Sequence, residues 1–337
     1  MNQVTRISIA VLMVSSCSIA GLDARKPLYS TELHDLASLF ETFINLFNKT
    51  YTGVEKFNRF LSFGKNVKEI NKHNAAETAS AVYDLNEMTD WSQKEFMMRA
   101  NLNPFSMQRL YESLDVAEVP SVKAPASFDW RSKNAVTPVK DQKTCGSCWA
   151  FCSTANIENL YAIKYGKKEY FSEQQLVDCD RRSSGCKGGW PASAMQDIMD
   201  RGGLIYEQKY PYENNDDSSC RFSSQNVGVK LSGYKSLKSG DENNMANYIS
   251  STSTTWNAID ATKLQYYKKG VMGPSNCGNG VNHAVTTVGY GKEKNTEYWI
   301  VKNSWGKNWG EQGYARIQKN KNTCDIAKHI GTAVLAK

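Results

Sequence analysis

The chain has 337 residues, of which 40% are hydrophobic, 22% charged and 11% aromatic. This composition is typical of a globular protein, because it lacks both the Pro and Gly excess of disordered chains and the long apolar stretches of polytopic membrane proteins. The net charge of +7 comes from basic residues scattered singly or in pairs, so the sequence offers no basic stripe for a nucleic acid. Length alone favours about two domains.

The first twenty residues predict a secretory signal peptide. Arg6 precedes a short apolar run at 7–14, and small residues at Ser18 and Ala20 indicate cleavage after Ala20. A membrane span needs ~20 apolar residues, so the run is too short for one, and the alternative is an ordinary buried N-terminal helix. Export implies an oxidising compartment, in which paired cysteines form disulfides. Removal of the signal peptide also removes Cys17, one of nine cysteines.

Two helices are predicted next. Apolar residues recur at three- and four-residue spacing over 33–47 and again over 54–74, and Gly53 separates the two segments. Prolines interrupt the stretch 101–126, which we interpret as a linker. Residues 1–123 hold 13 basic and 14 acidic side chains, whereas residues 124–337 hold 28 basic and 20 acidic ones. The two parts therefore carry net charges of opposite sign.

The remainder begins with helices and ends with strands. A helix is predicted over 148–164, closed by Gly166, and a second begins at Ser172 with a capping-box pattern. Four strands are predicted from their β-branched and aromatic residues and the Gly and Asn between them: 227–231, 284–290, 298–302 and 314–318.

Candidate functional residues are most concentrated in the segment 142–152, which contains Cys145-Gly-Ser-Cys148. A zinc site would need four ligands, and the second half of such a site is missing. A dithiol redox site would need the alternating strands and helices of a thioredoxin-like domain, which do not surround this segment. The third interpretation makes Cys148 a nucleophile at the start of a helix, where the helix dipole favours the thiolate.

A nucleophilic cysteine also needs a base, an orienting group and a donor for the oxyanion. His283 begins an apolar strand and can act as the base, and the amide oxygen of Asn303 can hold its imidazole. Gln142 lies six residues before Cys148 and can donate a side-chain N–H to a developing oxyanion. Each residue alone has an ordinary structural explanation, but together they favour covalent catalysis.

These residues resemble the papain-like cysteine peptidases, in particular the cathepsin L branch. The sequence Cys-Gly-Ser-Cys-Trp with a downstream His and Asn is a signature of that family. The resemblance implies an α+β, papain-like two-domain fold with an active-site cleft between its halves. We expect a helix-rich half at about 134–232 and an antiparallel, β-barrel-like half at about 233–330. The chain would divide into signal peptide 1–20, inhibitory propeptide 21–123 and mature peptidase 124–337.

The inhibitory propeptide is implied by a family motif on the second predicted helix. Spacings of three and four place its residues along one helix flank. They are Glu55, Arg59, Phe63, Asn66, Ile70 and Asn74. A second propeptide motif is altered, since the family's usual Gly, Asn, Phe and Asp are replaced here by Asp84, Asn86, Met88 and Asp90.

The remaining cysteines are assigned by the same resemblance, because spacing alone leaves their connectivity open. The implied disulfides are Cys145–Cys186, Cys179–Cys220 and Cys277–Cys324. With Cys148 as the nucleophile, Cys152 is left over at a position where relatives usually carry Ser. Cys152 is either a small buried residue without a role or an oxidation-sensitive partner of Cys148.

The resemblance also implies a substrate site. Gly188 and Gly189 would pair with the substrate backbone, and Trp305 would shield the His283–Asn303 hydrogen bond. Five residues would line the pocket for the side chain two residues before the cut (P2): Trp190, Pro191, Ala258, Val281 and Ala284. Asn282 and Trp305 would also contact the substrate. Because the pocket residues are apolar, we expect an apolar or aromatic P2 residue. His329 would lie at its floor if the alignment has no gap, and otherwise faces solvent. The segment 253–257 departs from the family's usual sequence and is expected to alter the wall of the substrate cleft that contacts residues after the cut.

The implied function is a thiol-dependent endopeptidase made as a zymogen. The mature part holds only two histidines, so the paired-His loop of an exopeptidase relative is missing. Acid would protonate the carboxylates of the acidic propeptide, so we expect activation below about pH 5–5.5.

We expect a monomer without cofactor, metal, nucleic acid or membrane span. Its partners would be protein and peptide substrates, its own propeptide as intramolecular inhibitor, and cystatin-like inhibitors. The secretory pathway would lead it to a lysosome or endosomal vacuole, or outside the cell. The alternative is an inactive relative that serves as a scaffold.

Overall fold

A computed structural model describes residues 26–102, 114–120, 123–278 and 280–337. The predicted signal peptide lies outside the described residues. Within them, every helix is too short or too polar to cross a membrane. We use the word propeptide for the described residues before 124, and mature domain for those from 124 onward.

The propeptide folds around two crossed helices, as its apolar periodicity predicts. Its elements are α1 (Leu33–Leu46), α2 (Gly53–Ala76), β1 (Val82–Tyr83) and α3 (Gln93–Arg99). A small core joins α1 to α2 and consists of Leu36, Phe40, Phe43, Phe63 and Val67. The short α3 begins with a complete capping box, in which the Ser92 hydroxyl accepts the Glu95 amide N–H and the Glu95 carboxylate accepts the Ser92 amide N–H.

The first part of the mature domain is helical. Its helices are α4 (Cys148–Tyr165), α5 (Glu173–Cys179), α6 (Pro191–Arg201) and α7 (Glu242–Ser251). Helix α4 ends as predicted at Gly166, which adopts a left-handed φ of 68°. The predicted capping box of α5 is only half formed. The Ser172 hydroxyl accepts the amide N–H of Gln175, but the Gln175 side chain binds the main chain of Ile205 and Gly203 instead.

The second part of the mature domain is built on one large sheet, and every predicted strand is present. The strands of the mature domain are β2 (Phe128–Asp129), β3 (Leu204–Ile205), β4 (Val227–Val229), β5 (Leu231–Ser236), β6 (Thr255–Ile259), β7 (Tyr267–Lys269), β8 (Val271–Met272), β9 (His283–Glu293), β10 (Thr296–Lys302), β11 (Tyr314–Gln318) and β12 (His329–Leu335). The large sheet has the order β5-β12-β6-β9-β10-β11-β8, with β2 on β9. Its described pairs are antiparallel except β11–β8. Among the described residues the path ends at β5 and β8 without closing, so the expected antiparallel sheet is present but does not form a closed barrel.

Two smaller sheets complete the pairing. Strand β3 pairs with β4, and β1 of the propeptide pairs with β7 of the mature domain. The strand predicted over 227–231 is divided between β4 and β5. In segment 253–257, Thr255, Trp256 and Asn257 lie fully buried in β6 between β9 and β12.

Three disulfides secure the mature domain, and they are the pairings that the family resemblance implied. They join Cys145 to Cys186, Cys179 to Cys220, and Cys277 to Cys324. The first places the loop before α4 against the loop that carries the two glycines of the predicted substrate site. Cys148 and Cys152 remain as free, buried thiols on α4.

The predicted linker is not free of the mature domain. Leu102 forms a parallel bridge with Gly189, and Val116 forms a parallel bridge with Ser236. Burial of Leu102 and Ala117 accounts for this, since both side chains are removed from water. Leu102 therefore lies against the helical half, and Val116 lies beside the edge strand β5 of the large sheet.

Candidate active site

Helix α4 and strand β9 bring the predicted nucleophile and base together. Cys148 is the first residue of α4, so unpaired N–H groups of the helix end surround its sulfur. The N-terminal half of α4 packs against β9, where the Cys152 thiol donates to the Val285 carbonyl at 2.9 Å. His283, the first residue of β9, consequently lies at the same end of the cleft as Cys148.

The imidazole of His283 is held by Asn303. Its Nε2 lies 2.8 Å from Asn303 Oδ1, and because that oxygen can only accept, Nε2 carries the proton. The same Oδ1 accepts the amide N–H of Ser304 at 2.8 Å, which fixes the orientation of the amide group. His283 Nδ1 has no hydrogen-bond partner among the described residues, so its lone pair is available to accept a proton. The Trp305 ring covers the pair, with its centroid 4.7 Å from that of His283.

Gln142 presents its amide N–H to a main-chain carbonyl. Its Nε2 donates to the carbonyl oxygens of Arg99 and Cys145, both at 2.9 Å. Its Oε1 accepts from the Ser304 hydroxyl at 2.7 Å, so the donor end of the amide is locked toward the cleft. The sequence analysis gave roles to Asn303 and Trp305 but missed Ser304 between them, because its contact with Gln142 joins residues far apart in the chain.

The propeptide covers this site and changes its titration. Cys148 and His283 are both fully buried. Burial raises the pKa of the Cys148 thiol to about 12, although nearby backbone N–H groups, including that of Asn101, oppose the shift. Burial also lowers the pKa of His283 to about 4, against the opposing effect of the Asn303 hydrogen bond. With the propeptide in place, the proton therefore stays on sulfur and both groups are neutral.

The residues predicted for the P2 pocket surround a propeptide side chain. Leu102 belongs to one buried apolar cluster with Trp190, Ala258 and Ala284, and Val281 packs against this cluster. Two other residues predicted for the substrate site, Asn282 and Pro191, make different contacts. Asn282 accepts the Leu102 amide N–H through its carbonyl at 2.9 Å, while its side chain binds Ala261 and Thr262. Pro191 is the buried first residue of α6.

The two glycines beside this pocket permit close approach. A Cβ at Gly188 would lie 2.5 Å from the Asn101 carbonyl oxygen, and one at Gly189 would lie 2.6 Å from the Trp149 ring. Any side chain at either position would therefore push the propeptide strand or the helix away.

His329 lies beside the same pocket. It pairs with Ala258 in the β12–β6 register, and its ring meets that of Trp190 edge to face at 5.5 Å. The ring is half-buried.

Comparison with known proteins identifies the family. Residues 124–334 match the family described as "Papain family cysteine protease", and residues 40–96 match the "Cathepsin propeptide inhibitor domain (I29)". The chain therefore belongs to the papain family of cysteine proteases. Because it carries the inhibitor domain as well, it is a zymogen.

Relatives of known name support this placement. The chain is 39% identical over 310 residues to cathepsin F of Drosophila melanogaster, an alignment that covers 88% of this chain and 50% of that protein. The chain thus spans half the length of that relative. It is 35% identical over 335 residues to the viral cathepsin of Adoxophyes honmai nucleopolyhedrovirus, with 96% of each chain covered.

Solved structures of proenzymes are similar over both parts of the chain. Digestive procathepsin L 3 of Tenebrio molitor larval midgut has a TM-score of 0.79 and 37% identity, covering 89% of this chain and 99% of that one. Procathepsin L2 of the same source has a TM-score of 0.81 and 35% identity, covering 89% of this chain and 100% of that one.

Proposed function

We propose that the mature domain is an endopeptidase in which Cys148, His283, Asn303 and Gln142 carry the catalysis. The observation that supports this is the arrangement around one carbonyl. Gln142 donates to the main-chain carbonyl of Arg99 at 2.9 Å, next to a cysteine at a helix N-terminus and a histidine held by Asn303. In a substrate, the scissile carbonyl would take the place of that propeptide carbonyl.

The reaction follows from the hydrogen-bond roles. His283 Nδ1 accepts the thiol proton of Cys148, and the thiolate adds to the carbonyl carbon. The oxyanion that forms is stabilised by Gln142 Nε2–H and the backbone N–H of Cys148. His283 then gives its proton to the leaving amine as the C–N bond breaks. Water attacks the thioester with His283 as base, and the acid product and the thiol are released.

Latency follows from the same groups. The ordinary pKa values of a thiol and an imidazole are about 8.5 and 6.5, so a helix dipole and mutual attraction can produce the ion pair in water. Under the propeptide the values are about 12 and about 4, which places the proton on sulfur. Release of the propeptide returns water to the cleft and permits the thiolate–imidazolium pair.

The preference at P2 is proposed from the pocket that holds Leu102 in the zymogen. The apolar lining of this pocket favours an apolar or aromatic side chain two residues before the cut. His329, at 5.5 Å from Trp190, adds a group that can become cationic and accept acidic side chains at low pH. A peptide library profiled at pH 5 and pH 7.5 tests this, and an unchanged P2 preference would count against a role for His329.

We also propose passage through the secretory pathway, ending in a lysosome or endosomal vacuole or outside the cell. The three disulfides support it, because such bonds persist in oxidising compartments. Localisation of the tagged full chain tests it, and a cytosolic distribution would refute it.

The test of the proposed function is Cys148→Ala in the activated enzyme. Hydrolysis of a peptide with Leu at P2 should vanish, together with labelling by an epoxide that traps catalytic thiolates. Cys152→Ala serves as the matched control, since it removes the other free thiol and should retain both properties. Gln142→Ala should lower kcat by about 10²–10³-fold, the usual effect of losing one oxyanion donor. Retained turnover in Cys148→Ala would refute the assignment, and metal analysis of the purified protein distinguishes a metal-binding alternative.

A further inference from the structure

A single propeptide cation is buried at the edge of the candidate active site. Arg99, the last residue of α3, has only 1% of its surface exposed. Its Nη2 lies 2.6 Å from Asp141 Oδ1, and its guanidinium carbon lies 5.7 Å from the centroid of the Trp305 ring. Asp141 and Trp305 both belong to the mature domain. A long cationic side chain is costly to bury, so this site is complementary to one.

The position of Arg99 relative to the cut follows from its main chain. Its carbonyl accepts from Gln142 Nε2, while Leu102, three residues later, fills the apolar pocket. Between them in the chain, the backbone N–H of Asn101 points to the Cys148 sulfur, so Arg99 and Leu102 flank the sulfur along the strand. If the apolar pocket receives a residue that precedes the cut, as the proposed function holds, then the Arg99 side receives residues that follow it.

Release of the propeptide would leave the mature half of this site in place. The other groups around the guanidinium, Glu87, Met88 and Trp91, belong to the propeptide and depart with it. Asp141 stays positioned, because its Oδ1 accepts the amide N–H of Lys143 at 2.8 Å and its main chain bridges to Trp305. Lys143 is exposed, and no ion pair connects its ammonium to Asp141 within the part of the chain that the structure describes.

We infer that the cleft on the leaving-group side of Cys148 binds a guanidinium or ammonium side chain of the substrate, through the Asp141 carboxylate and the Trp305 indole face. A carboxylate hydrogen bond and a cation–π contact are the two interactions that recognise such a group, and both are already made to Arg99. The inference rests on the proposed function and adds to it a preference for Arg or Lys at the first or second position after the cut.

The experiment compares matched peptides on enzyme activated from the full chain, with active sites counted by epoxide titration. Each peptide has Leu two residues before the cut and carries Arg, citrulline or Glu at the first or second position after it. Citrulline keeps the shape of Arg without its charge. We expect kcat/KM to favour Arg over citrulline by about tenfold at one of these positions, and Glu to be the poorest.

Two variants assign the preference to the carboxylate. Asp141→Asn keeps the oxygen that accepts the Lys143 N–H but removes the charge, and should reduce the Arg-to-citrulline ratio to below about twofold. Glu169→Gln is the control. Glu169 pairs with Lys167 beyond the far end of α4, so this variant should leave the ratio unchanged.

Equal cleavage of the Arg and citrulline peptides by the unaltered enzyme would overturn the inference. So would an Asp141→Asn variant that loses activity equally on both. An enzyme that cleaves none of the peptides and resists epoxide labelling would instead refute the proposed function itself.

Discussion

The propeptide contacts the mature domain in two regions of different character. In the first, which we call the docking face, propeptide residues 73–88 lie against mature residues 265–276. Its contacts combine the β1–β7 pairing with buried side chains: Glu77 accepts from the Gly273 amide N–H at 3.1 Å and from Asn276 Nδ2 at 2.9 Å. In the second, which we call the cleft strand, residues 99–102 lie over Cys148. There the main chain of Arg99 and Leu102 binds Gln142 and Asn282, and the Arg99 and Asn101 side chains bind Asp141 and the Lys187 carbonyl.

This difference indicates that the mature domain recognises the propeptide at the docking face, whereas the cleft strand blocks the active site. Any peptide can offer the carbonyl and amide groups that Arg99 and Leu102 present to the cleft, so those contacts cannot distinguish the propeptide from a substrate. The docking face uses particular side chains, including Asn86, whose Nδ2 donates to the Gln265 carbonyl at 2.6 Å. We therefore expect the docking face to supply most of the binding free energy and the cleft strand to supply the inhibition.

Acid should weaken the docking face, since it buries a histidine. His73 lies between Tyr83 and Tyr266, and burial lowers its pKa to about 4. The catalytic pair adds no net proton uptake on release, because the proton that His283 gains comes from the Cys148 thiol. Once released, the His73 imidazole returns toward about 6.5 and binds a proton below that pH. The released state thus holds more protons between about pH 4 and 6.5, so the docking free energy is full above this window and is lost as pH falls through it.

We expect the zymogen to open about 70-fold more at pH 4.5 than at pH 7.5. The measurement is the rate of Cys148 labelling by an epoxide in the zymogen, divided by the rate in the mature enzyme at the same pH. His73→Gln should remove most of this response. A ratio that stays flat across this range would contradict the prediction.

Removal of Glu77 should have an effect of similar size. Glu77→Ala leaves the Gly273 N–H and Asn276 Nδ2 buried without their acceptor, and each such loss costs about 1–3 kcal/mol. The normalised labelling rate at pH 7.5 should rise about 100-fold. Glu41→Ala is the control, because Glu41 lies on α1 with a solvent-exposed side chain paired to Lys56. Equal rates in the two variants would show that the docking face does not hold the propeptide.

A smaller effect is expected in the cleft strand. Leu102→Ala empties part of the apolar pocket, but the strand keeps its main-chain contacts with Gly189 and Asn282. We expect the normalised labelling rate to rise about 30-fold, because loss of a buried Leu side chain costs ~2 kcal/mol. Leu46→Ala, at an exposed leucine of α1, should change nothing. If Leu102→Ala exceeded Glu77→Ala, the division between recognition and blocking would be wrong.

The two regions also differ in how much the sequence reveals of them. Helix α2, which leads into the docking face, was predicted over 54–74 and spans Gly53–Ala76, because one of its faces is apolar at regular spacing. The polar contacts of Glu77 and Arg99 were not predicted. Each depends on a partner far along the chain, and nothing local to either residue marks it as buried.

The same reasoning explains the elements that were missed. Strand β6 contains Thr255 and Asn257, polar residues that indicate a surface segment in sequence. The structure buries them because Asn257 donates to the Ile326 carbonyl at 2.8 Å and accepts from Thr287 at 2.8 Å. Helix α6 could have been found, since it begins with Pro191 at its first position, where proline is favoured. The four catalytic candidates were found through chemistry and spacing, whereas their supporting residue Ser304 was found only in three dimensions.

The smallest effect is expected at Cys152, which lies one helical turn after Cys148 and beneath the cleft strand. Its thiol donates to the Val285 carbonyl at 2.9 Å, and burial raises its pKa, so it stays protonated and unreactive. Cys152→Ser keeps a donor of similar size at this place. The normalised labelling rate and kcat/KM should both change less than about twofold, within the range of a volume-conserving exchange. Mass spectrometry of the zymogen after mild peroxide should likewise find no bond between Cys148 and Cys152. A linkage between them, or a tenfold loss of activity in Cys152→Ser, would give this thiol a role beneath the cleft that packing alone does not explain.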